Sequence, residues 1–211
     1  MAEFKDKFLE NFTGTIGNMI FYQRGGKTFV RSKPTKLKDR QSEAQLAQRE
    51  KFKLVHEFLA PFKKVISKTF VDETSSRTAY QNAFSYNLKK AVIGNYPDFK
   101  MDYKKVLLSR GEVVLPIKIT IKKQNTGFLI EWDTSIKAEA CEPDDTFVLI
   151  ASHNFYPNIH YRFTGVPRSE GRYIWDNNFF EAHSMPDVWV AFRNADETAV
   201  SESRYLEFDE L

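Results

Sequence analysis

Seven cations crowd one short stretch of the chain: Arg24, Lys27, Arg31, Lys33, Lys36, Lys38 and Arg40. Tyr22 and Phe29 stand among them. Cations spaced along an extended strand and its exit loop can track a phosphate backbone, and aromatic rings between them can stack on bases. These seven side chains are therefore the candidate contacts for a nucleic-acid partner. The competing reading is a solvated surface whose aromatics turn inward, with lysines that discourage edge-to-edge aggregation.

Other residues with chemical potential do not assemble into a motif. Gly26-Lys27-Thr28 ends like a phosphate loop, but that loop needs a glycine where this chain has Phe21. It also needs a helix afterwards, and here an extended run follows. His56, His153, His160 and His183 form no His-x-x-x-His pair and no HExxH. His153 and His160 flank a loop and could meet across it, and with Glu142, Asp144 or Asp145 they could in principle hold a metal; surface histidines are the simpler reading. Cys141 sits among acidic residues, which disfavour a reactive thiolate. No Gly-x-Ser-x-Gly elbow is present, and no two carboxylates can be paired from spacing. The expectation is no catalytic residue, no cofactor and no metal site, hence no enzyme.

The elements that must position the cations follow from periodicity. Ile16 to Tyr22 alternates like a strand, Gln23-Arg24-Gly25-Gly26 is a turn signal, and Lys27 to Arg31 is a second strand: a β-hairpin. A lone hairpin is marginal in water, so its apolar face should pack on the helices that follow. Before it, Glu3 to Phe12 has the spacing of a short helix or an ordered arm. After it, Leu46, Phe52, Val55, Phe58, Leu59, Phe62, Val65, Ile66 and Phe70 recur three or four apart, predicting a long amphipathic helix from about 41 to 70. Pro61 must kink or break it. A polar gap, Asp72 to Ser76, offers helix caps, and Arg77 to Val92 predicts a further helix ended by Gly94 and Pro97. Met101 to Ser109 predicts a strand.

From Pro116 on, the pattern becomes all-β. Ile117, Ile119 and Ile121 alternate with polar residues, as do Phe128, Ile130 and Trp132. Further runs cover Thr146–Ser152, Ile159–Thr164, Arg172–Trp175, Val188–Arg193 and Ala199–Leu206. About seven short strands with turns between them predict a β-sandwich.

The chain has 211 residues, enough to bury a real core, and aromatics make up 15% of it. That composition argues against disorder. One cysteine excludes an intrachain disulfide. The start is charged, and no run is long enough to span a bilayer, so a cytoplasmic protein without a membrane span is expected. Net charge is +3 but unevenly spread: residues 1–125 carry 25 Lys+Arg against 12 Asp+Glu (+13), and residues 126–211 carry 6 against 16 (−10). Opposite halves of this kind can attract one another within a chain or between chains.

The second half resembles a fibronectin-type-III or immunoglobulin-like domain through its Ile117-x-Ile119-x-Ile121 and Phe128-x-Ile130-x-Trp132 strands, the closing Val188–Phe192 and Ser201–Leu206 runs, and Trp132 as a buried tryptophan on an early strand. Most of the chain is similar to a family of uncharacterised bacterial proteins. The carrying residues are the Gly14-Thr15-Ile16-Gly17-Asn18 hairpin, Gly26-Lys27, the Arg31-Ser32-Lys33-Pro34 exit, Ser42, Gln45, Arg49 and Phe52 on the helix, and Ser201, Ser203, Tyr205 and Leu206 at the end. That resemblance implies no activity. The expected fold is α+β: a basic unit over 1–112 with an N-terminal hairpin packed on two or three helices, then an acidic immunoglobulin-like antiparallel sandwich over 113–211. The expected function is a non-enzymatic binding or structural module acting through contacts with protein, itself or another; the alternative is nucleic-acid binding through the hairpin and the loop after it.

Overall fold

A computed structural model of the chain describes residues 2–4, 12–34, 41–70, 76–124, 127–135, 141–153, 159–176 and 185–208. The fold is α+β with antiparallel sheets. It divides into two compact units, Met1–Ser42 and Glu43–Leu211.

The first unit is a four-stranded sheet. Strands β1 (Ala2–Phe4), β2 (Gly14–Ile16), β3 (Met19–Arg24) and β4 (Lys27–Ser32) lie in the order β1-β4-β3-β2. Gly25 and Gly26 take φ of 59° and 74°, the left-handed pair that a two-residue hairpin turn needs. The β3–β4 hairpin thus stands where glycine predicts it. The run from Ile16 to Tyr22 is not one strand, however. Gly17, at φ 56°, turns the chain with Asn18, so Ile16 pairs back on Met19. Alternation alone does not reveal a reversal that keeps the period of two. At the N-terminus, Ala2–Phe4 pairs as a strand with β4 instead of opening a helix; residues 5–11 lie outside the described residues. Phe21 and Thr28 are buried, and Phe12 meets Phe21 edge-on at 5.3 Å.

In the second unit, α1 (Glu43–Leu59) and α2 (Lys63–Thr69) come from the long amphipathic stretch. The predicted break falls at Ala60-Pro61-Phe62, where Pro61 has no N–H to give. Val55, Phe58, Leu59, Phe62, Val65, Ile66 and Phe70 are all buried. Phe52, on the same stripe, is 45% exposed and rests on Phe84 at 5.3 Å. Helix α3 (Ala79–Lys90) begins two residues after the expected Arg77, where its apolar positions start. Its cap is Thr78, whose hydroxyl accepts from the Gln81 N–H while the Gln81 side chain accepts from the Thr78 N–H.

The expected strand Met101–Ser109 does not form. Lys100–Met101 (β6) makes only a two-residue pairing with Val92–Ile93 (β5), and Tyr103–Lys105 is a 3-10 turn. Val106–Ser109 is buried, but side chains, not a neighbouring strand, satisfy much of its backbone. Asn87 donates to Leu107 O at 2.9 Å and accepts from Leu107 N at 3.0 Å. Thr69 Oγ1 donates to Leu108 O, and Ser203 Oγ accepts from Leu108 N, both at 2.8 Å. Ser109 Oγ donates to Ser201 O at 2.8 Å, and Ser201 Oγ accepts from Phe192 N at 2.9 Å. The buried serines of the C-terminal Ser-x-Ser run thus lace two segments together.

Seven strands follow: β7 (Ile119–Gln124), β8 (Gly127–Trp132), β9 (Thr146–Ser152), β10 (Ile159–Pro167), β11 (Arg172–Asp176), β12 (Asp187–Arg193) and β13 (Arg204–Leu206). One sheet runs β11-β8-β7 and the other β10-β9-β12-β13. Central strands β9 and β12 are buried on both faces. Phe147, Leu149 and Ala151 oppose Phe192, Val190 and Val188 and join the core shared with Ile121, Phe128, Ile130, Trp132 and Trp175. Val148 and Ile150 oppose Ala191 and Trp189 and join the helical core with Phe58, Leu59 and Ile66. The second unit is therefore three layers: helices, four-stranded sheet, three-stranded sheet. Its helix–sheet core draws on residues from Val55 to Leu108 and from Val148 to Val200.

Candidate functional site

The β3–β4 register decides which side chains of the first unit share a face. Arg24 pairs with Lys27, Tyr22 with Phe29 and Ile20 with Arg31. Directly opposed residues project to the same side of a sheet. One face therefore carries Arg24, Lys27 and Arg31 around Tyr22 and Phe29. The two rings stack with centroids 5.8 Å apart, and the Arg31 guanidinium lies 5.9 Å from the Tyr22 centroid. The three cations are exposed and the two rings half-buried. Phe21, Thr28 and Val30 occupy the other face. Lys33 is exposed just past β4, where its N–H donates to Asn18 O at 2.7 Å. Lys36, Lys38 and Arg40 lie outside the described residues. Residues 1–42 carry 9 Lys+Arg against 4 Asp+Glu, a net +5.

Gly26-Lys27-Thr28 is the end of the hairpin turn and the start of β4. His56 is exposed on α1. His160 stacks on Trp175 at 5.8 Å and 8°; burial, then the Arg162 charge, lowers its pKa. Asp145 is engaged by Arg168, whose Nε and Nη2 donate to its Oδ2 at 3.2 and 3.1 Å. Arg168 Nη2 also donates to Val114 O at 2.6 Å, and its guanidinium lies 4.5 Å from the Phe192 centroid. Cys141 is buried, and His183 lies outside the described residues. Among the described residues no three potential metal ligands gather.

The second unit holds a cavity of about 710 Å³ that periodicity did not reveal. Leu54, Glu57 and Phe58 of α1 form one wall; Phe99, Lys100, Met101 and Tyr103 form the other. Lys51 lies over the Phe99 ring at 4.7 Å. Behind Tyr103, Trp189 donates from Nε1 to Tyr103 O at 3.2 Å and packs on Tyr205 at 5.2 Å. Tyr205 Oη donates to Asp187 Oδ1 at 3.0 Å. Burial, reinforced by the Asp187 charge, pushes the Tyr103 pKa up to about 12 and raises that of Tyr205. Both phenols stay protonated at neutral pH. Phe99, Met101 and Tyr103 come from a loop, a two-residue pairing and a 3-10 turn, none of which has a sequence period.

Among the described residues no helix is long and apolar enough to cross a membrane. Neither a curated protein nor a solved structure matches the chain. A family model does match, over residues 11–207, taking in the basic hairpin, the helices and strands β7 to β13. The chain belongs to the family of unknown function DUF6266.

Proposed function

We propose that this protein is a non-enzymatic binding module and that its N-terminal sheet binds nucleic acid. One observation carries the reading: Arg24, Lys27 and Arg31 share a sheet face with the stacked Tyr22–Phe29 pair. Fixed cations beside rings set in a strand plane supply both terms of sequence-tolerant binding to a single strand. Lys33, and beyond it Lys36, Lys38 and Arg40, extend the positive track along the chain. The reading goes with a cytoplasmic location, where the lone Cys141 remains a thiol. The strand order β11-β8-β7 with β10-β9-β12-β13 supports a fibronectin-type-III-like sandwich as the scaffold, which by itself says nothing of activity.

The test is anisotropy titration of a labelled single-stranded oligonucleotide with the full chain. Neutralising three phosphates predicts a log–log salt slope of about −2. Arg24→Gln with Lys27→Gln and Arg31→Gln should weaken binding at least about tenfold and flatten that slope. Undetectable binding at low salt, or wild-type binding by the triple variant, would sink the reading.

A second reading, contact with protein including further copies of this chain, is favoured by the +13 and −10 halves and by Ile16 and Met19. These two are about half exposed on the sheet's other face. It predicts self-association that weakens as salt rises, because screening sets in beyond about 8 Å at physiological ionic strength. A monomer by light scattering at every ionic strength counts against self-contact.

A further inference from the structure

We propose that a cationic cleft along α3 binds a ligand carrying more than one phosphoryl group. Arg77, Lys89, Lys90 and Arg110 line a single concavity of about 210 Å³ in the second unit. Asn82, Ser85 and Tyr86 complete the wall, and no carboxylate stands among the described residues that line it. A concave surface of one charge sign concentrates counter-ions far more than the same charges spread over a convex one. Arginine adds a planar fork that matches phosphoryl oxygens, and the amide and hydroxyls add neutral hydrogen-bonding groups.

Ordinary helix electrostatics explains only part of this cluster. Lys89 and Lys90 lie in the last turn of α3, where cations offset the exposed carbonyl ends. Arg77 precedes the Thr78 cap, at the end where the dipole disfavours a cation. Arg110 comes from a different segment altogether. Its N–H donates to Thr69 O at 2.9 Å, and its guanidinium lies 5.8 Å from the Tyr86 ring centroid, so two contacts hold it at the cleft. Positions 82, 85, 86, 89 and 90 follow helical spacing along one face, and Asn82 to Lys90 spans about 12 Å at 1.5 Å per residue. That length exceeds a lone phosphate. A di- or triphosphate group and the successive phosphodiesters of a nucleic acid share the chemistry the cleft would take. The site lies wholly within the second unit and stands apart from the reading of the N-terminal sheet.

The probe is inorganic tripolyphosphate, titrated calorimetrically into the full chain with ionic strength held constant by sodium chloride. Saturable binding is expected. Lys89→Gln with Arg110→Gln should weaken it at least tenfold. Lys53→Gln with Lys63→Gln, which removes the same charge from exposed positions on α1 and α2, should not change it. All four of these side chains are exposed, and circular dichroism verifies that both variants fold. Displacement of bound tripolyphosphate by a single-stranded oligonucleotide assigns the cleft to a nucleic-acid backbone; resistance to displacement assigns it to a small polyphosphorylated ligand. Absence of saturable binding at low ionic strength, or equal weakening by both double variants, would overturn the proposal.

Discussion

Arg168 and Asp145 are each 2% exposed, so their ion pair has given up its water on both sides. The guanidinium is further engaged by Val114 O and the Phe192 ring, and the Arg168 carbonyl accepts from Trp132 Nε1 at 2.7 Å. Removing one partner strands a buried charge, which costs far more than the intact pair contributes. Arg168→Ala should destabilise the protein by about 3–5 kcal/mol, read from the urea midpoint; a loss under about 1 kcal/mol would refute the burial argument. Asp187 is a different case. Burial raises its pKa above 3.8, while the Tyr205 hydrogen bond and the His153 charge pull it back. Between 3.8 and the raised value the native state binds more protons than the unfolded one, so this carboxyl's contribution to stability falls as pH rises through that window. Asp187→Asn should flatten the pH dependence of the urea midpoint there. An unchanged slope would mean that another group titrates.

Turn and cap residues specify several elements without help from distant contacts. Gly25-Gly26 marks the β3–β4 turn, Pro61 the break after α1, and Thr78 with Gln81 the start of α3. Thr78→Ala should cost about 1 kcal/mol, checked by thermal unfolding, since it removes half of a reciprocal cap. The element that sequence misplaces is Met101–Ser109. Its apolar residues are buried, but Asn87, Thr69 and Ser203 complete the backbone hydrogen bonds of Leu107, Leu108 and Ser109, and none of those residues is near it in sequence. Asn87→Leu should cost about 2–4 kcal/mol by leaving Leu107 N and O unsatisfied in the core. A denaturation midpoint equal to wild type would show that water replaces the amide.

For the second unit as a whole, the decisive feature is that β9 and β12 are covered on both faces. Trp189 meets Phe58 at 6.2 Å, Phe62 at 5.9 Å and Tyr103 at 5.8 Å, and its strand neighbours Val188 and Val190 pack into the opposite core. Helices and sandwich should therefore unfold together. Trp132, Trp175 and Trp189 report on the sheets by fluorescence and the 222 nm band reports on the helices, so the two urea curves should coincide; separated transitions would show that the layers fold independently. Local chemistry in the sequence was enough to determine the α+β class, the hairpin, the broken amphipathic helix and seven strands near their observed places, because glycine, proline, caps and periodicity act over a few residues. It was also enough to single out the basic stretch, though not that β-register sets Arg24, Lys27 and Arg31 beside Tyr22 and Phe29. Tertiary structure alone decided that the helices cover the sandwich. The unbroken apolar runs Phe147–Ala151 and Val188–Phe192 mark strands buried on both faces but do not name what covers them. It alone also brought Arg77 and Arg110 to the same cleft as Lys89 and Lys90, since charges impose no period and their convergence depends on how distant segments pack.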